Sequence, residues 1–280
     1  MPKQIPGEAI ARPKRQSVPE AEMTVRALLQ AGLTRAKDSA DWASISAATR
    51  IVLPSTDGPM REVITGRNIR PTGSYGSRKA GRPLAFESMN ERAVFVHSEV
   101  DIRVANYLSQ PCRFEFVLDG VRRSYVPDCA RILADGTLEI LEVKGDRRDL
   151  TDVDYRRKLD HVAQVCRVVG WSFRIVFAAP LRARTVRNAT IQLIEHHRLA
   201  QYGAKDVFVV HERLAAASTP LPLGELAQAF GDEVVGRAKI CAMMVGRCVA
   251  IDLNAPLTRS SPVNLPPTAH IGALDAEGAL

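Results

Sequence analysis

Two Asp-Gly dipeptides, Asp119-Gly120 and Asp135-Gly136, each lie between short segments of alternating apolar residues. Asp-Gly suits a tight turn that needs positive φ, so each pair marks the tip of a β-hairpin. Two hairpins in succession commit this stretch to antiparallel strands. Cys112–Leu118 alternates through Phe114, Phe116 and Leu118, and Val121–Ala130 is its partner. Leu138–Lys144 follows the second turn, with Leu138, Ile140 and Glu142 on one side and Leu141 and Val143 on the other.

Helical periodicity surrounds these strands. Phe86, Met89, Ala93, Val94, Val96 and Val100 predict a helix started by Ser88 or Glu87, running to about Leu108 with a break near His97. Val153, Leu159, Val162, Val165, Cys166 and Val169 predict another over 152–169, stopped by Gly170. Trp171–Phe177 reads as a buried strand, Val186–Leu199 as a helix and Asp206–Val210 as a short strand. The expected core is α/β, a mixed sheet flanked by helices, over 84–215. A second unit over 216–255 reads as a short helix ending at Gly231, a helix over Glu233–Val245 capped by Asp232, and a strand at Cys248–Leu253. That order fits a helix-turn-helix or winged-helix-like unit, and equally a small helical cap. Residues 256–280 read as a flexible tail.

Residues 1–83 read as a basic, partly disordered arm. Residues 1–20 hold four prolines, 21–50 hold a short helix around Met23–Leu29, and Thr65–Arg82 reads as loop. Charge is placed unevenly. Residues 1–82 carry 14 of the 38 Lys and Arg but 7 of the 31 Asp and Glu, so the net +7 sits entirely there. A localised basic excess suits a polyanion, most often nucleic acid, although a solvated tail has the same composition. The longest apolar run, Ile240–Val245, is far short of the ~20 residues that span a bilayer, so no membrane association is expected. The five scattered cysteines form no CxxC pair and suggest neither a disulfide framework nor a zinc cluster, and a cytoplasmic setting is expected.

The chemistry-bearing residues lie on the hairpins. Pro127-Asp128 follows the first, and Glu142-Val143-Lys144 ends the strand after the second. Alternation puts Glu142 and Lys144 on one face, and hairpin pairing brings Asp128 beside them. Such charges could dress an exposed strand edge. However, the apolar residues around Glu142 imply burial, and a buried carboxylate needs a partner or a metal. Two neighbouring carboxylates favour a hard divalent cation, Mg²⁺ or Mn²⁺, with the Val143 backbone carbonyl as a further ligand. Such a site suits phosphoryl displacement, with Lys144 offsetting transition-state charge.

Pro127-Asp128 and Glu142-Val143-Lys144 on adjacent strands resemble the PD-(D/E)xK nuclease superfamily. The flanks are similar to one branch, the TnsA-like endonuclease subunit of heteromeric transposases. The similar segments are Ser77-Arg78-Lys79, Gly81-Arg82, Phe86-Glu87-Ser88-Met89-Asn90-Glu91-Arg92, Gln110-Pro111, Tyr125-Val126-Pro127-Asp128 and Gly170-Trp171-Ser172-Phe173. Asn90, His97-Ser98 and Cys129 depart from the family pattern. The resemblance implies a restriction-endonuclease-like core and a helix acid at Glu91, with Glu87 as its rival. Metal would be held by Asp128, Glu142, the Val143 carbonyl and Glu91, and Lys144 would complete the catalytic set. Arg78, Lys79, Arg82, Arg147 and Arg148 would contact double-stranded DNA. The implied activity is Mg²⁺-dependent cleavage at transposon ends, on the strand that a partner DDE-type transposase leaves uncut, with an ATPase regulator in the complex. The setting would be the bacterial cytoplasm, at the nucleoid when acting. A stand-alone restriction or repair nuclease and a catalytically inactive DNA-binding assembly subunit are the alternatives.

Overall fold

The computed structural model describes residues 24–55, 58–60, 71–217 and 219–267. The expectations for 1–20 and for most of the C-terminal tail lie outside the described residues. In chain order the elements are α1 (Val25–Ala36), α2 (Ala40–Ser46), β1 (Thr49–Val52), β2 (Gly73–Gly76), β3 (Pro83–Phe86), α3 (Met89–Val100), β4 (Val104–Ser109), β5 (Arg113–Leu118), β6 (Val121–Tyr125), β7 (Cys129–Leu133), β8 (Leu138–Lys144), a 3₁₀ turn (Arg147–Leu150), α4 (Val153–Val168), β9 (Ser172–Phe177), α5 (Ala178–Arg182), α6 (Val186–His196), α7 (Ala204–Ala216), β10 (Leu221–Pro222), α8 (Leu223–Gln228), α9 (Glu233–Val245), β11 (Ala250–Ile251) and β12 (Pro262–Asn264).

The fold is mixed α/β with several sheets. The central sheet has the order β4-β7-β8-β9, antiparallel except for the parallel pair β8–β9, which α4 connects. Beside it lie a sheet β1-β5-β6, a β2-β3 ribbon and a small sheet β10-β12-β11. Six of the seven β8 residues are buried, which makes it the spine of the core. Both Asp-Gly pairs form turns. Asp119 (φ 53°) and Gly120 (φ 74°) are both left-handed and join β5 to β6 directly, while Gly136 (φ 85°) closes the β7–β8 turn.

Four expectations are corrected. The helix from Phe86 to Leu108 is a strand, a helix and a strand. Phe86 ends β3, α3 stops at Val100, and Val104–Ser109 is β4. Val100, Val104 and Leu108 are four residues apart, which mimics a helical face, but Asp101 turns extended (ψ 113°) and ends the helix. The strand Val121–Ala130 is broken at Val126-Pro127-Asp128, so β6 and β7 join different sheets; Pro127 has no N–H to continue a ladder. Asp206–Val210 is part of α7, where Val210 and Leu214 are the buried i, i+4 pair. Within Thr65–Arg82, Gly73–Gly76 is a strand carrying buried Tyr75.

The chain's flanks are also more ordered than expected. Val25 and Leu29 of α1 are buried, and β1 pairs with β5, so 24–52 is woven into the core. A Cβ on Gly32 would lie 2.3 Å from Trp171 Nε1, so α1 needs glycine there to approach the β9 end of the core. At the other end, β12 pairs with both β10 and β11 inside what reads as tail. Helix α9 is buried at every position from Ile240 to Val245 and packs on α8 and α6. Among the described residues no helix is long and apolar enough to cross a membrane.

Candidate functional site

The break at Pro127 decides where Asp128 goes. Cys129 pairs with Leu141, so Asp128 stands next to Glu142 at the mouth of the β7–β8 ladder. Its Oδ2 accepts a hydrogen bond from Val143 N at 2.7 Å. A strand residue's N–H and C=O leave by the same edge, so the Val143 carbonyl faces the Asp128 side too. Gln110, held at φ 45°, donates its backbone N–H to the Asp128 carbonyl at 3.0 Å and its side-chain amide to Glu87 at 2.7 Å. Glu87, Asp128, Glu142 and Val143 line a cleft of about 910 Å³ with Glu91, Lys144, Asp149 and Arg182.

Glu142 is buried, and both carboxylate oxygens are occupied. Tyr125 OH donates to Oε2 at 2.5 Å, while Tyr155 OH and Lys144 Nζ (2.6 Å) share Oε1. Burial alone would lower the Lys144 ammonium. The bonded Glu142 carboxylate outweighs it and raises the pKa, so Lys144 is a fixed cation at neutral pH, not a base. Burial also pushes Asp128 well above the usual carboxylate range, and the nearby charges of Glu142 and Glu91 push it further.

Glu91 occupies the third position of α3. Ser88 caps the helix by accepting from Glu91 N at 3.2 Å. The Glu91 carboxylate folds back over the helix start, accepting from Glu87 N at 2.8 Å and Ser88 Oγ at 2.9 Å. Burial raises its pKa; those two hydrogen bonds oppose the rise, and the charges of Glu87 and Glu142 add to it. Glu91 and Glu87 thus face the same cleft, Glu91 from the helix and Glu87 from just before it.

The donor set is oxygen only, but it is not drawn together. Among the described residues no three His, Cys, Asp or Glu side chains gather closely enough to hold a metal ion. The hydrogen bonds explain this: Glu91 is turned onto its own helix end, and Glu142 onto its tyrosines and lysine.

The basic residues divide. Arg78 and Lys79, expected to meet phosphate, turn inward. Arg78 Nε donates to the Arg198 carbonyl at 2.5 Å, its Nη2 bonds the Ala200 carbonyl, and its guanidinium lies 4.7 Å from the Tyr202 ring centroid. Lys79 Nζ donates to the carbonyls of Ser98 (3.0 Å) and Asp101 (2.6 Å), and burial brings its pKa down to about 7. Fully buried Glu99 anchors the same turn, accepting from Ser77 Oγ (2.7 Å), Arg78 N (2.6 Å) and Tyr107 OH (2.6 Å). Ser77-Arg78-Lys79 is therefore a buckle onto α3. Arg82, one turn later, is half-buried beside Asn106 and Tyr107. Arg147 and Arg148 are exposed on the 3₁₀ turn after Lys144, Arg148 lying 3.3 Å from Asp146. Arg182 lines the cleft and Tyr155 holds Glu142, and sequence reasoning missed both. Tyr155 had a usable signal, an aromatic on the polar first turn of α4. Arg182, which donates to Asn90 Oδ1 at 2.9 Å, had none.

No protein-family model matches the sequence, and no curated protein does.

Proposed function

We propose that the chain is a metal-dependent DNA endonuclease with a PD-(D/E)xK-type core. It would act as the endonuclease subunit of a heteromeric transposase, hydrolysing a phosphodiester at transposon ends. The observation that carries the reading is one cleft holding Asp128, immediately before β7, beside Glu142 and Lys144 on the adjoining β8, with Glu91 facing them from α3. Two of these carboxyls have raised pKa values through burial and mutual repulsion, which a divalent cation would relieve.

The residues fit Mg²⁺ or Mn²⁺. Asp128, Glu142 and the Val143 carbonyl are hard oxygens, and Mg²⁺ needs only one or two carboxylates when water and phosphate complete its shell. When bound, the metal would supply charge stabilisation at the phosphoryl group and an acidified water. Lys144, held protonated by Glu142, places a fixed positive charge beside the scissile phosphate. The two tyrosine hydroxyls hold the Glu142 carboxylate in one orientation. Arg182 offers a second cation at the cleft wall. The partners in this reading are double-stranded transposon-end DNA, a DDE-type transposase and an ATPase regulator.

The strand order β10-β12-β11 around α8 and α9 supports a winged-helix-like reading of the C-terminal unit. Burial of α9 beyond Lys239 leaves only its first turns open, so this unit suits anchoring and partner contact better than deep groove reading.

The test is nicking of supercoiled plasmid and transposon-end DNA in Mg²⁺ or Mn²⁺, with and without the transposase. Wild type is compared with Asp128→Ala and Lys144→Ala. Partner-dependent cleavage lost in both variants supports the reading. Cleavage by the chain alone, still lost in both, favours a stand-alone nuclease. DNA binding without cleavage, once the ATPase component is supplied, favours an assembly subunit.

A further inference from the structure

Arg78 and Lys79 turn inward, whereas Arg147 and Arg148 are exposed after β8, and the fold gathers a second set of cations on the far side of the Glu142 tyrosines. Arg123 on β6 pairs with Phe116 on β5, and direct antiparallel partners point to the same face. The Phe116 ring lies 4.5 Å from the His161 ring of α4, so that face is the one α4 covers. Lys158 lies one turn before His161 on α4. Its ammonium is 4.5 Å from the Tyr155 ring centroid and 5.6 Å from that of Tyr125. Lys144 sits 4.5 Å from the same Tyr155 ring.

We propose that duplex DNA lays its phosphate backbone along Arg123 and Lys158 to reach Lys144 and the cleft. This rests on the nuclease reading and extends it by naming the surface that receives the substrate. Three features point to a polyanion. First, the ammonium groups of Lys144 and Lys158 both stand against the Tyr155 ring; Lys144 is paired with Glu142 at 2.6 Å, so the two cations share one buried carboxylate and leave net positive charge there. Second, among the described residues neither Arg123 nor Lys158 has a salt bridge, whereas neighbouring Arg157 is neutralised by Asp119 at 2.9 Å. Third, β6 is an edge of its sheet and Val121–Ser124 are all exposed, so Arg123 remains open to solvent although α4 packs on the Phe116 part of the same face. Burial lowers the Lys158 pKa and the Lys144 and Arg123 charges lower it further, while Glu142 opposes them. Phosphate contacts of this kind position a duplex without reading its sequence.

The experiment measures binding of the full chain to a fluorescent 30-base-pair duplex in EDTA, across a KCl series. Each lost phosphate contact reduces the slope of log K against log[salt] by about 0.9. Arg123→Gln/Lys158→Gln is expected to flatten the slope by about 1.8, while Lys158→Arg keeps it. Lys37→Gln, an exposed charge at the end of α1, is the control and leaves it unchanged. Far-UV circular dichroism and Tm establish that the variants fold. An unchanged slope in the double variant, with Asp128-dependent nicking intact, overturns this surface alone. An equal flattening in Lys37→Gln also overturns it, since any surface charge would then serve. Absence of both duplex binding and nicking in the wild type overturns the nuclease reading and this surface with it.

Discussion

At the scale of single residues, the site is governed by how its carboxylates are satisfied. Glu142 survives burial because three donors meet its two oxygens. Tyr125→Phe leaves Oε2 without its donor and is expected to cost about 1–3 kcal/mol in urea denaturation. Tyr155→Phe should cost less, since Lys144 remains on Oε1. Asp128 behaves differently, because its raised pKa means that the folded chain holds a proton the unfolded chain releases. Its contribution to stability is full below the ordinary Asp range and is lost as pH rises through the folded value. Asp128→Asn keeps an acceptor for Val143 N without a charge. The metal-free variant should therefore be more stable than wild type at pH 8, by on the order of 1 kcal/mol or roughly 2–4 °C in Tm. The difference should vanish near pH 4. A gap that stays constant across the pH range would contradict this account. The rise of Tm with added Mn²⁺ expected for wild type should be absent in the variant.

At the scale of elements, legibility followed local chemistry. The Asp-Gly turns, the Gly170 stop of α4 and the Asp232 cap of α9 were readable because one or two residues dictate each of them. The adjacency of Asp128 to Glu142 was readable for the same reason, since a turn and strand alternation suffice to place them. Three things were not. The Val100, Val104, Leu108 spacing suits a helix as well as β4, and sheet pairing with β7 decides the matter. The short Val207–Val210 run suits either state, and α7 wins through its i, i+4 burial. The inward turn of Arg78 and Lys79 depends on carbonyls at 98–101 and 198–200, which no local pattern announces. Packing between helices was equally invisible. A Cβ on Gly236 would lie 2.1 Å from the Ala227 carbonyl, so α8 and α9 cross at a distance only glycine permits. Gly236→Ala should force them apart and destabilise the chain by about 1–3 kcal/mol, measured by chemical denaturation.

At the scale of the whole molecule, the C-terminal unit is stitched to the rest. Arg247 Nε donates to the Ile102 carbonyl at 3.0 Å, Thr190 Oγ1 to the Ala255 carbonyl at 2.8 Å, and Lys239 pairs with Asp206 at 3.0 Å. Helix α9 fills the space beside α6, with six consecutive buried residues from Ile240 to Val245. Calorimetry is therefore expected to show one unfolding transition for the described core, not two. A chain cut after Ala217 should bare the α6 face, bind a hydrophobic dye and lose cooperative melting. A second, independent transition in the intact chain would show the unit to be separable. The position of α9 along the chain has a consequence for synthesis. The cleft residues leave the ribosome well before the helix that closes the core behind α3 and α6. A nascent chain that already carries Asp128, Glu142 and Lys144 still lacks its final wall, so the cleft on this scaffold matures only after translation has passed Val245. Stalled or prematurely terminated products would be left open and exposed to proteases.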